Sequence, residues 1–160
     1  MPAGRRTTLL LRGVVVLLAI QFVLGIYANL FGPFSSTDSI EEALAYGGAP
    51  VLTAHYILAA VLVVLGLVLV ASSFGREEPR GLRWLTIAGL LSILWASLSG
   101  LEFIRSGFTS NVDSFSMALG FIVATSFYGV AQALALPQET RDSRRDDETR
   151  RSAESDSAAR

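Results

Sequence analysis

A chain of 160 residues that is 51% hydrophobic and carries a net charge of −1 has the length of one small globular domain. Its apolar residues are instead gathered into four long blocks, which leave no stretch for a soluble catalytic domain. All the cations are Arg, and with no Cys the chain has no disulfide, thiolate metal site, iron–sulfur ligation or cysteine nucleophile.

Residues 1–12 carry Arg5, Arg6 and Arg12 and read as a cytoplasmic N-terminus. The first apolar block, 13–31, is long enough to cross about 30 Å of hydrocarbon as a helix. It contains Gln21 and Asn29, polar side chains that lipid disfavours. A cleaved signal peptide with Ala28 before the cut is the alternative, but Gly25, Tyr27 and Asn29 make a poor cleavage region, so the block is expected to remain as a span.

The following loop, 32–50, holds Pro33, Gly47, Gly48 and Pro50, and its segment from Asp38 to Tyr46 predicts a short surface helix with Glu41 and Glu42 in its first turn. The second span, 51–74, carries His55, the only histidine, about 7 Å below the start of its helix. Pro79 and Gly81 break the chain within the short loop Gly75 to Gly81, which makes spans two and three antiparallel neighbours.

The third span, 84–103, places Ala88, Ser92, Ala96 and Gly100 at intervals of four. These line one stripe along the helix and let a neighbouring backbone approach, within the bundle or across a dimer. Trp84 at one end, with Tyr27, Phe31, Tyr56, Phe103 and Phe108 toward the other, reads as a set of interface anchors. Glu102 stands at the end of this span, and the short loop Ser106 to Val112 leads into the fourth span, 115–136, which contains Met117 and Gln132. Beyond it, residues 137–160 are rich in Arg, Asp, Glu, Ser and Thr with no aromatic residue, and predict a disordered cytoplasmic tail.

Every Arg except Arg105 lies in the two ends or between spans two and three, where Arg76, Arg80 and Arg83 stand. By the positive-inside rule both termini are cytoplasmic. The expected fold is an all-α membrane protein, a four-transmembrane-helix up-and-down bundle in the plasma membrane of a prokaryote, N-in and C-in. Its expected surroundings are the lipid bilayer and a second copy or a larger membrane complex, with no nucleic-acid partner.

Threading puts Asn29, His55, Glu102 and the start of the fourth span at nearly one depth, toward one leaflet, and Gln21, Asn29 and Glu102 form the expected polar intramembrane cluster. A neutral His55 has the chemistry to ligate a haem iron or to shuttle a proton with Glu102, or else to make a structural hydrogen bond to Asn29 or a backbone carbonyl. One His cannot supply both ligands of a bis-histidine haem, so the fifth and sixth positions would fall to His55 and Met117 or to His55 from each of two chains. No protein metal cluster and no catalytic nucleophile is expected, since Ser97 and Ser99 lie in no nucleophile motif.

Gln21, Leu24 and Gly25 in "IQFVLG", the following Asn29, the loop with Glu41 and Glu42, and "APVLTAHYILAAVLVVLGLVL" around His55 resemble one four-helix half of the haem A synthase family. The chain is also similar to the small four-span membrane proteins of GC-rich prokaryotes. The first resemblance covers about two spans and implies b-type haem binding at His55, as in a redox-associated subunit. The alternatives are a structural or accessory membrane subunit and, behind it, a small transporter.

Overall fold

A computed structural model describes the backbone of residues 3–31, 49–75 and 80–158, with side chains over 6–30, 50–75 and 80–135. The helices are α1 (Ala3–Phe31), α2 (Ala49–Ser72), α3 (Arg80–Arg105) and α4 (Asn111–Ala158). Each contains a segment long and apolar enough to cross a membrane: Arg6–Leu30, Pro50–Ser72, Arg80–Arg105 and Asn111–Ala135. In hydrocarbon every peptide group must be paired within its own segment, and the helix does this at any apolar sequence. The chain is thus a multi-pass, all-helical membrane protein. The surface helix expected from Asp38 to Tyr46 and the break at Pro79 lie outside the described residues.

The helices pack in a ring, α1 on α2, α2 on α3, α3 on α4 and α4 back on α1, with α3 and α4 the most extensively joined pair. Neighbours run antiparallel, as Ser73 beside Thr86 and Gly100 beside Met117 require. One end of the bundle holds Arg6, Ser72, Arg80 and Ala135; the other, called distal below, holds Leu30, Pro50, Arg105 and Asn111.

The distal turn between α3 and α4 is built by local chemistry. Gly107 and Phe108 adopt left-handed φ of 64° and 61°. The Gly107 amide donates to the Ile104 carbonyl at 2.9 Å and the Phe108 amide to Phe103 at 3.0 Å, closing α3 with a Schellman motif. The Phe108 ring packs edge-on against Phe103, 5.6 Å between centroids, which supplies the hydrophobic contact that accompanies such a cap. Ser110 then caps α4, its hydroxyl accepting from the Asp113 amide at 3.3 Å.

Small residues bring α3 and α4 together. A Cβ on Gly120 would stand 3.0 Å from the Ala96 Cβ and 3.1 Å from the Ser92 carbonyl, so here backbone meets backbone. Gly100 faces the Met117 sulfur in the same seam. Ser92, Ala96 and Gly100 therefore act within the bundle. Ala88 is only half-buried; the closest approach at that level is made by Gly89, against the ring of Tyr128.

Two boundaries differ from the sequence expectation. Residues 6–12 are not a separate stretch: α1 begins at Ala3, and Thr7, Thr8 and Leu11 are buried in the core. Nothing in this segment opposes a helix, and its small hydroxyls fit a bundle end. The tail expected to be disordered continues α4 as helix to Ala158, through Pro137. A proline lacks one amide and disfavours a helix interior, but the following sequence sets Asp146 and Asp147 four residues before Arg150 and Arg151, a spacing that supports a helix without a core.

Candidate functional site

The distal half of the bundle holds a partly open cavity of about 290 Å³. All four helices line it: Gly25 and Asn29 from α1, Tyr56 and Ala59 from α2, Gly100 from α3 and Met117 from α4 are among its walls. Its floor is Leu18, Leu62, Ile93 and Ala124, each buried. One turn further in, Tyr128 crosses the bundle with its ring between Gly66 and Gly89, and the inner half is closed by Leu11, Val14, Leu69 and Leu82.

The polar centre of the cavity is the pair Gln21 and His55, joined by a hydrogen bond of 3.2 Å between Gln21 Nε2 and His55 Nε2. Gly25, one turn along α1 from Gln21, makes this contact sterically feasible. A Cβ there would come within 3.0 Å of the His55 ring at Cε1, so the imidazole edge lies flat against α1 only because that residue has no side chain. Gln21 Oε1, His55 Nδ1 and the Tyr56 hydroxyl are buried with no hydrogen-bond partner. Such atoms carry a free-energy cost that a bound group can relieve.

The sequence-predicted residues divide. Gln21, Asn29, His55 and Met117 all line the one cavity. Glu102 does not. Its carboxylate is exposed and accepts from Arg105 Nη1 at 2.6 Å, one turn along the same helix. Its depth was legible from the sequence but its direction was not, and the expected proton exchange between Glu102 and His55 has no geometric basis. The partner of His55 is Gln21 rather than Asn29. Ser97 bonds the Ile93 carbonyl of its own helix, whereas Ser99 meets Ser116 of α4 at 3.0 Å, and Trp95 Nε1 donates to the same Ser116 hydroxyl.

Three residues escaped sequence reading: Tyr56, Tyr128 and Gly89. Tyr56 follows His55 and looked like an interface aromatic. Tyr128 and Gly89 are ordinary members of apolar runs, and only their meeting across the bundle distinguishes them.

A haem iron at this site needs an imidazole nitrogen with open approach. His55 gives an iron no such approach in this arrangement: Nε2 is engaged by Gln21, and Nδ1, though unpaired, is buried on the side of the ring that faces α1, where a small polar group fits but a porphyrin plane does not. Met117 is on the same cavity, with its sulfur against Gly100. The residues as placed do not fit an axial His/Met pair. Comparison with known family models, curated proteins and solved structures returns no match.

Proposed function

We propose that this chain is a non-enzymatic membrane protein that binds a small lipid-soluble molecule in the distal half of its bundle. The observation that carries the reading is the cavity of about 290 Å³ whose apolar wall is interrupted by the buried Gln21–His55 pair. Ligand sites take this form, a mostly apolar recess with a few placed polar groups that fix orientation. The closely packed inner half, from Leu62 to Leu82, supports binding over conduction. The arginine distribution supports an orientation with both termini in the cytoplasm, in which the cavity would belong to the outer leaflet.

The test is native mass spectrometry of the full chain released from lipid nanodiscs. The chain retains a small lipid-soluble adduct, and Ala59→Phe, which fills the cavity from α2, loses it. An adduct that persists unchanged in Ala59→Phe, or its absence from both proteins, overturns the reading.

The other reading, a haem-binding subunit, has in its favour only that His55 and Met117 share one cavity, since as placed they form no axial pair. It requires Gln21 to release Nε2. An absorption spectrum of protein expressed with haem supply separates the two readings. A Soret band lost in His55→Ala favours haem, and a spectrum without one favours the apolar ligand.

A further inference from the structure

The unpaired atoms of the cavity specify the head group of its occupant, an inference that rests on the binding role proposed above. The Gln21–His55 bond is compatible with two proton arrangements. When the amide donates to Nε2, His55 carries its proton on Nδ1, and the atoms left over are an Nδ1–H donor and the Gln21 carbonyl acceptor. When the amide is turned over so that its oxygen accepts from Nε2–H, the leftover set is an amide N–H donor and a bare Nδ1 acceptor. Both arrangements leave one donor and one acceptor unpaired on the joined side chains. The buried Tyr56 hydroxyl, also without a partner, can serve in either role. A hydroxyl is the smallest head group that both gives and takes a hydrogen bond, and a hydrocarbon would leave every one of these atoms unpaired.

The route into the cavity is legible from the exposure of its walls. Among the described residues that line it, those exposed at the bundle surface are Phe22, Ile26 and Asn29 on α1 and Ala118 on α4; every lining residue of α2 and α3 is buried or half-buried. The walls are thus open along one seam, between α1 and α4, within the membrane-spanning part of both helices. At the inner end of the seam the rings of Phe22 and Phe121 stack at 4.8 Å and 14°, bridging the two helices below the opening. A molecule using this seam arrives from lipid rather than from water.

We infer that the occupant is a lipid-borne alcohol or phenol, which passes between α1 and α4 from the surrounding leaflet and sets its hydroxyl on Gln21 and His55. An isoprenoid alcohol and a quinol share this chemistry, an apolar body with a hydroxyl head.

The experiment uses the full chain in nanodiscs with four probes: farnesol, its methyl ether, the hydrocarbon farnesene, and a short-chain prenyl naphthoquinol. Farnesol or the quinol is expected to bind at least about tenfold more tightly than farnesene, with the ether between them because it accepts but cannot donate. Preference between farnesol and the quinol identifies the source. In Gln21→Leu and His55→Leu the alcohol-to-hydrocarbon ratio falls toward one.

Equal binding of farnesol and farnesene overturns the hydroxyl assignment while leaving the binding role intact; no binding of any probe removes both. The probe series needs no substitution and so stands even where a variant fails to fold. For the route, the chain has no native Cys, so Ile26→Cys with Ala118→Cys puts one thiol on each side of the opening, to be bridged by a bifunctional maleimide. Bridging is expected to block farnesol uptake, and labelling either single variant to leave it intact. Uptake unaffected by a verified cross-link overturns passage between α1 and α4.

Discussion

Gly89→Ala tests the packing beneath the cavity most sharply. A Cβ at this position would stand 2.7 Å from both Cε2 and Cζ of Tyr128 and 3.1 Å from Cδ2. Carbon atoms in favourable contact sit about 3.5–4.0 Å apart, so the ring or α3 must yield by about 1 Å. The ring has nowhere to go. Tyr128 is fully buried, and its hydroxyl already lies 3.1 Å from where a Cβ on Gly66 would be, on the opposite helix. The substitution is therefore overpacking against a fixed aromatic ring, with an expected cost of about 1–3 kcal/mol.

The assay is reversible unfolding of the full chain in bicelles, for Gly89→Ala, Tyr128→Leu and the double variant. Tyr128→Leu is destabilising in its own right because it leaves a void where the ring ended. The decisive quantity is the coupling between the two sites. In the Leu background, Gly89→Ala should cost less by about 1 kcal/mol or more, since a shorter side chain no longer meets the new methyl. A cost of Gly89→Ala that is the same in both backgrounds would refute the placement of the ring between α2 and α3.

Three further outcomes follow from the same geometry. Tyr128→Phe should be neutral or stabilising by up to about 1 kcal/mol, because the phenol oxygen is buried without a partner and its removal takes away an unmade bond; clear destabilisation in the same bicelle assay would mean the hydroxyl is satisfied. Glu102→Gln should change stability by no more than about 1 kcal/mol and leave ligand binding unaltered, because the Glu102–Arg105 pair is solvent-facing and points away from the cavity; lost binding by native mass spectrometry would place the carboxylate in the site after all. Ser110→Cys in the distal turn should react with a membrane-impermeant maleimide added to intact cells, whereas Arg80→Cys should react only after lysis; the opposite pattern reverses the topology.

Gln21 and His55 show how far a membrane sequence can be read and where reading stops. Counting along α1 and α2 places each residue at a depth, because a helix rises a fixed 1.5 Å per residue. Depth alone brought Asn29, His55, Met117 and Glu102 toward one leaflet, without Gln21. The direction in which each side chain points depends on rotation about the helix axis, 100° for every residue, and that rotation is ordinarily announced by a polar face. In α2 the apolar residues are spread almost evenly around the helix, so no face is announced. Asn29 was thus the expected partner of His55 where the structure supplies Gln21, and Glu102 was indistinguishable from a residue facing inward. Gly25 settles part of the matter, since the imidazole edge can press against α1 only where a side chain is missing.

What the sequence alone determined is the number of helices, their apolar extent and their alternating direction. Four long uncharged blocks must pair their own peptide groups in lipid, and short breaks between consecutive blocks allow only antiparallel neighbours. The tertiary structure alone decided which polar atoms share the cavity, which glycines admit a ring, and which seam stays open. These depend on helix rotation and on close contact between residues distant in the chain, such as Gly89 with Tyr128, and in a hydrocarbon solvent apolar patterning carries no force to record them.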